Sequence, residues 1–406
     1  MSSEWPILPL GDLTINHDGK RRPVKESERK AGPYPYYGAS GIVDHVDGYL
    51  FDGDYLLIGE DGENMRTRQT PIAFMAHGKF WVNNHAHIVT GNHLADTRFL
   101  MYAVSNTDIH SYLTGAVMPK LTQGNLNKIS LACPPLNVQL GIIGVLGALD
   151  DRITLLRETN STLEAIAQAL FKSWFVDFDP VRAKMEGRAP EGMEEATAAL
   201  FPDGFEESEL GLVPRGWRNV SLREVVSIHD SKRIPLSGQE REKRKGPYPY
   251  YGAAALMDAV DDYLFDGVYL LTGEDGSVAD ANGYPIMQYV WGKFWVNNHA
   301  HILQGKDGVA TEHVMLAMQR TNITPYITGA VQAKLSQTNM WRINFLKPTR
   351  EVADHFASLL EPLFVRFRHN SEQAQTLATL RDTLLPRLIS GQLRLPEAQA
   401  QLEETE

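Results

Sequence analysis

The chain has a single cysteine, Cys133, among its 406 residues. One thiol permits no internal disulfide and fits a reducing compartment; its place before Pro134 and Pro135 suits a buried, inert side chain. Long apolar runs are also missing. None reaches the ~18 residues a bilayer span requires, and Met1 to Pro6 lack the basic and apolar regions of a secretory leader, so a cytoplasmic protein without a membrane segment is expected. The phosphate-cradling Gly-Lys-Ser/Thr loop is absent: Gly78-Lys79 and Gly292-Lys293 are each followed by phenylalanine. Nor is there an Asn-Pro-Pro-Tyr run or a glycine-rich cofactor loop after a strand. ATPase and methyltransferase chemistry are therefore not expected of this chain, and no cofactor is expected in it.

Net positive charge is lacking too, and a balance of −11 speaks at first against a nucleic-acid partner. The distribution removes that objection. Glu186 to Glu209 holds eight acids against Arg188 alone, a balance of −7, and Glu397, Glu403, Glu404 and Glu406 add −4, so the remainder is neutral. Within it lie two basic stretches, one with Lys20, Arg21, Arg22, Lys25, Arg29 and Lys30, the other with Lys232, Arg233, Arg241, Lys243, Arg244 and Lys245. Local charge, not the total, decides phosphate binding.

What the chain does contain is itself twice. Gly78 to Ile88 recurs unchanged as Gly292 to Ile302, an offset of 214 residues. Gly32 to Ala39 returns as Gly246 to Ala253, Tyr49 to Gly53 as Tyr263 to Gly267, and Thr114 to Val117 with Lys120 as Thr328 to Val331 with Lys334. A period this long is too large for a solenoid, so each copy is a domain with its own core. Trp5 and Trp217 open the copies at an offset of 212, which places a two-residue insertion in the basic stretch of the second, as in a loop. Short apolar runs between Gly and Asp-Gly turns read as strands, and His93 to Val104 and Leu121 to Ile129 as short helices. Each copy is thus a mixed α/β (α+β) unit.

Each domain is followed by a different texture. Ile142, Leu146, Leu149, Ile153, Leu156, Asn160, Leu163, Ala167, Leu170 and Trp174 alternate spacings of four and three, the mark of a coiled-coil seam. Phe356, Leu360, Leu363, Phe367, Asn370, Ala374, Leu377, Arg381, Leu384 and Leu388 repeat it, with Pro362 expected to kink the helix and Arg381 to weaken the seam. Neither seam stays dry alone. The economical arrangement is an antiparallel pair with pseudo-two-fold symmetry, in which the polar Asn160 and Asn370 fix register. The expected organisation is a first globular unit over 1–135, a helix over 136–179 and a solvated acidic linker over 180–213. A second unit over 214–348, a helix over 349–392 and an acidic tail over 393–406 follow.

Candidate contacts to sugar and phosphate are Tyr34, Tyr36 and Tyr37 and their counterparts Tyr248, Tyr250 and Tyr251, which follow the basic stretches directly. Lys79, Lys120, Lys293 and Lys334 join them. Base reading is sought where the copies diverge: Arg66, Arg68 and Gln69 in the first, Asn282 and Gln288 in or just beyond the second, since Arg suits guanine and amides suit adenine. His85 with His87, and His299 with His301, alternate on a strand and could meet one metal, although no third ligand stands at a recognisable spacing.

Together Gly32 to Ala39, Asn83 to His87, Leu170 to Phe175, Gly211 to Trp217 and Leu380 to Leu388 resemble the DNA-specificity subunit of type I restriction-modification enzymes over nearly the whole chain. The resemblance implies two target-recognition domains, each reading half of a split sequence on double-stranded DNA. It also implies helices that serve as spacer and as docking surface for two modification (methyltransferase) subunits, which bring S-adenosylmethionine. Restriction subunits, an ATP-dependent endonuclease, would bring ATP and Mg²⁺, so catalysis belongs to partners. Recognition domains of that family commonly differ within one subunit, whereas these are close copies, and half-sites near inverted repeats are expected. Two other readings stay open from the residues alone: a metal-dependent nuclease using the paired histidines, and a stand-alone DNA-binding regulator.

Overall fold

Alternate residues along the strand Tyr55–Gly59 face opposite ways, and the first domain is built on that alternation. Leu56 and Ile58 turn into a core with Phe99, Leu100 and Ala103 of the helix Thr97–Asn106, while Leu57 turns into a second core with Phe51, Phe80, Val82 and Ile88. The structure, a computed structural model, describes residues 5–209, 211–329 and 331–403, with side chains to 400. Glu404 and Glu406 of the expected tail lie outside the described residues, as do Met1 to Glu4, Leu210 and Ala330.

Two four-stranded sheets carry these cores. One has the antiparallel order Thr14–Asn16, Ala86–Gly91, Tyr55–Gly59, Ala73–Ala76; the other has the order Gly41–Val46, Ala31–Gly38, Lys79–Val82, Phe51–Asp52. In the second sheet Ala31–Gly38 and Lys79–Val82 run parallel, with Tyr36 opposite Trp81. The second copy repeats the scheme with Val226–Ile228, Ala300–Gly305, Tyr269–Gly273 and Met287–Val290, and with Leu256–Val260, Lys245–Tyr251, Lys293–Val296 and Phe265–Asp266. The repeated Gly-Pro-Tyr has a steric reason. A Cβ on Gly32 would sit 2.3 Å from Asp47 Cα, and one on Gly246 2.4 Å from Asp261 Cα, where a bulged strand crosses its neighbour.

The long helices are α1, Leu136–Phe175, and α2, Arg350–Ile389. At about 1.5 Å per residue each is about 60 Å long. The residues group into two compact units, Met1–Leu156 with Gln373–Glu406 and Arg157–Glu372. In the first, Ile142, Leu146 and Leu149 of α1 share a core with Leu384 and Leu388 of α2, and Ile153 and Leu156 pack with Ala374. In the second, Ala167, Phe171 and Trp174 pack with Phe356, Leu360 and Phe364. The early part of α1 thus meets the late part of α2 and the late part of α1 the early part of α2, so the pair is antiparallel as the seams require. Asn370 donates to Asn160 Oδ1 at 2.9 Å, and Asn160 donates to the Phe367 carbonyl at 3.0 Å and to Ser371 Oγ at 2.9 Å.

Several expectations need correction. α1 stops at Phe175, and Asp179 with Pro180 instead opens a short helix, Asp179–Met185, where proline suits the first turn. The segment after it is no solvated spacer. Val181, Phe201 and Val213 are buried, and Val181 and Phe201 join the second unit's core around Trp217, so its apolar residues outweigh its acidic composition. Leu170 and Leu363 are only half-buried, and their neighbours Phe171 and Phe364 occupy the interior. Arg381 is not a weak point: it meets Asp150 at 2.8 Å, and Asp150 also accepts from Tyr102 at 2.5 Å.

Asn160→Ala strands Asn370 in the seam and should cost about 1–3 kcal/mol, whereas Asn160→Leu with Asn370→Leu should recover most of that loss; denaturant titration of both variants decides. His313, surrounded by Phe171, Phe175, Phe345 and Phe356, is buried, and burial pushes its pKa down from 6.5 to about 3. The unfolded chain therefore gains a proton below about pH 6.5 that the folded unit takes only near 3. Stability of this unit falls as pH drops through that window, by up to about 1.4 kcal/mol per pH unit. His313→Phe, which copies Phe99 at the matching position of the first domain, should flatten the dependence when unfolding is measured at pH 5 and 7.

Candidate nucleic-acid interface

One buried polar network is present twice. Asp18, in the 3-10 turn Asp18–Lys20, accepts from His87 Nδ1 at 2.6 Å and from the Ile88 amide at 2.8 Å; His87 Nε2 lies 2.7 Å from the Leu121 carbonyl. Arg21 bonds Glu60 at 2.7 Å and the Ala86 carbonyl at 2.7 Å, and Lys120 reaches Glu60 at 3.1 Å. Asp230, His301, Leu335, Arg233, Glu274 and Lys334 reproduce each contact in the second domain. Burial alone would raise the Asp18 carboxyl, but the bonds from His87 and Ile88 and the Arg21 charge hold it below the usual carboxylate range. The network pins three chain segments to the strand Ala86–Gly91, where the eleven-residue repeat ends.

This geometry separates the paired histidines. His87 and His301 are buried against Asp18 and Asp230, while His85 and His299 are half-exposed and bond Asp61 at 2.9 Å and Asp275 at 2.5 Å. The two imidazoles of a pair thus serve different carboxylates. Asp230, Glu274 and His301 do place ligand atoms within 4.8 Å of one another. The Arg233 guanidinium fills the position a cation would need, 2.7 Å from Glu274 and 3.5 Å from Asp230. The donor set is already neutralised, which gives the nuclease reading no support.

The basic stretch divides into structural and exposed cations. Arg21 and Arg233 belong to the network; Arg29 pairs with Asp44 over the ring of Tyr36. Tyr36 and Tyr250 are buried, their hydroxyls accepting from the amides of Val24 and Leu236, so they anchor the loop and are not contact residues. Tyr37 and Tyr251 pack edge-on against Phe80 and Phe294. Lys20, Arg22 and Lys25 are exposed and have no carboxylate partner among the described residues, and the same holds for Lys232 and Lys243. Lys245 pairs with Asp258 at 2.8 Å and Arg244 with Asp261 at 2.8 Å, which leaves the second stretch with fewer free charges. Insertion of the short helix Gly238–Lys243, where the first copy has only the turn Glu26–Glu28, accounts for the shift in offset.

The stretch crosses the sheet. Arg21 sits beside Ala86 at one end, the Arg22 carbonyl accepts from Trp81 Nε1, and Lys30 leads into the strand Ala31–Gly38 at the other. At that far end Lys79 lies 4.8 Å over Tyr49, which meets Tyr34 at 5.1 Å; Lys293, Tyr263 and Tyr248 repeat the arrangement. Lys120 and the turn Asn83 to His85 are at the opposite end, about 13 Å away at ~3.3 Å per strand residue from Tyr34 to Gly38.

Of the candidate base readers, Arg68 has a left-handed backbone, φ 50°, and donates to the Ser105 and Thr107 carbonyls, so its charge serves the fold. Arg66 braces the Gly115 and Ala116 carbonyls at 3.0 and 3.3 Å. Gln288 donates to the Gly252 carbonyl at 3.0 Å. Gln69 and Asn282 are exposed. Cys133 is buried, and burial raises its thiol.

Duplicated domains with exposed cations in each, joined by paired helices, define a bipartite recognition protein. The sequence profile of the type I restriction modification DNA specificity domain matches residues 2–165 and 214–373, and the chain belongs to that family. It is 26% identical over 400 residues to the HindI specificity subunit of Haemophilus influenzae, covering 84% of both chains. It is 22% identical over 423 residues to the MjaIX specificity subunit of Methanocaldococcus jannaschii, covering 97% of this chain and 94% of that one. Another H. influenzae protein of this description is 40% identical over 146 residues, a stretch that spans only 37% of its length. The crystal structure of a type I restriction-modification S subunit from M. genitalium shares the fold, with TM-score 0.59 and 14% identity over 95% of this chain and 96% of that one. Among the described residues no helix is long and apolar enough to cross a membrane.

Replacing Lys20, Arg22 and Lys25 by alanine should weaken DNA binding regardless of sequence. It should also flatten the slope of log affinity against log salt by about 0.9 for each phosphate left without its cation. Fluorescence anisotropy across a salt series checks this, and an unchanged slope would place these side chains away from the backbone.

Proposed function

We propose that this chain is the recognition component of a type I restriction-modification assembly, reading a two-part sequence in double-stranded DNA with near inverted-repeat half-sites. The observation that carries the reading is the duplication itself: one chain presents the same buried network and the same Thr-Gly-Ala-Val loop twice, with exposed cations in each copy. Similar readers meet similar chemistry, hence the near-equivalence of the half-sites. The paired helices set the spacing between them and offer docking surface to two modification subunits, which supply S-adenosylmethionine. Restriction subunits supply ATP-driven cleavage with Mg²⁺. In this division of labour the chain's own residues bind and orient DNA, and the reacting groups lie elsewhere.

Sequencing methylated positions in cells that carry the chain with modification subunits should reveal a split motif whose halves are close to inverted repeats. A continuous motif, or halves with unrelated bases, would refute it.

A further inference from the structure

In each domain one loop ends in a bare apolar side chain. Thr114 and Lys120 exchange backbone bonds of 2.8 and 2.7 Å, and Gly115, at φ +88°, closes the loop so tightly that a Cβ there would lie 2.2 Å from the Met118 carbonyl. Thr328 and Lys334 exchange bonds of 2.9 and 2.7 Å, and Gly329, at φ +94°, leaves 2.1 Å to the Gln332 carbonyl. The base of each loop is tied down as well, by Gly62 N to the Pro119 carbonyl and Gly276 N to the Ala333 carbonyl. At the tips, Val117 is 94% exposed and Val331 fully so. Between the copies Met118 changes to glutamine and Pro119 to alanine, yet Thr-Gly-Ala-Val and the lysine stay.

A loop closed at its base that keeps a solvent-facing valine in both copies holds it for a partner. Val117 stands between Ala116 and the exposed Met118, and Val331 precedes Gln332, so neither tip carries the large aromatic or arginine side chain on which protein-binding centres are built. A valine is enough to touch a thymine methyl in the major groove, an apolar contact that side chains of this size make. Lys120 and Lys334 stand half-exposed at the loop bases, where Glu60 and Glu274 hold them and so fix the loops on the domain. We infer that Val117 and Val331 read a thymine methyl, one in each half-site, and that the adjoining Met118 and Gln332 are where the two half-sites are told apart. The inference rests on the DNA-reading role proposed above.

The test selects bound sequences from a randomised duplex library with the full chain, then measures affinity after thymine is replaced by uracil, one position at a time. Val117→Ala should weaken binding to the selected duplex roughly tenfold, leave random duplex unaffected, and become indifferent to loss of one methyl in the first half-site. Val331→Ala should do the same for the second. Because both side chains lie in solvent, unchanged thermal unfolding of the variants guards against a folding defect. Undiminished affinity, or losses that simply add to every uracil substitution, would overturn the inference while leaving DNA reading intact. A parent chain that selects no sequence would overturn both.

Discussion

Neither long helix can cover its own apolar stripe, and that constraint organises the molecule. Each helix is divided among cores: α1 gives Ile142 to Leu149 to the first domain, Ile153 and Leu156 to a small cluster with Ala374, and Ala167 to Phe175 to the second domain, and α2 contributes in reverse order. A domain is completed only with helix from both halves of the sequence. Within the second unit Asn160 and Asn370 satisfy one another and make one register of the seam better than its neighbours.

The same economy governs the polar interior. His87 and His301 are buried, and both ring nitrogens of each have a partner: a carboxylate on one, a carbonyl on the other. Residues that look like chemistry in sequence are thereby used for shape. What is left for a partner is the outside of this frame, namely the cations that no carboxylate claims and the loop tips.

Much of the architecture was legible because it rests on periodicity and repetition, which survive without coordinates. The 214-residue offset announced the two domains, and the four-three spacing of Ile142 to Trp174 announced the seam. The register-fixing asparagines followed from polarity at a seam position. Errors arose where composition stood in for contacts. The acidity of residues 180–213 hid Val181 and Phe201, whose burial decides where the segment goes. Phe171 and Phe364 displaced Leu170 and Leu363 because aromatic bulk outweighs ideal spacing. Within the candidate interface, Arg21, Arg68 and Tyr36 have the chemistry of contact residues, and only their partners, Glu60, the Ser105 carbonyl and the Val24 amide, reveal them as internal braces. The loop valines drew no notice in sequence, since a single apolar residue in a Gly-Ala turn gives no hint of being left in solvent.

The antiparallel seam also restricts how such a chain can change. Seven residues added to α1 alone would push every later side chain past its partner and strand Asn370 opposite a new neighbour, so the insertion succeeds only when α2 gains a matching heptad roughly two hundred residues downstream. Lengthening is then a two-site event in the gene, and families built this way should alter helix length rarely and in synchrony while their loop tips drift one codon at a time.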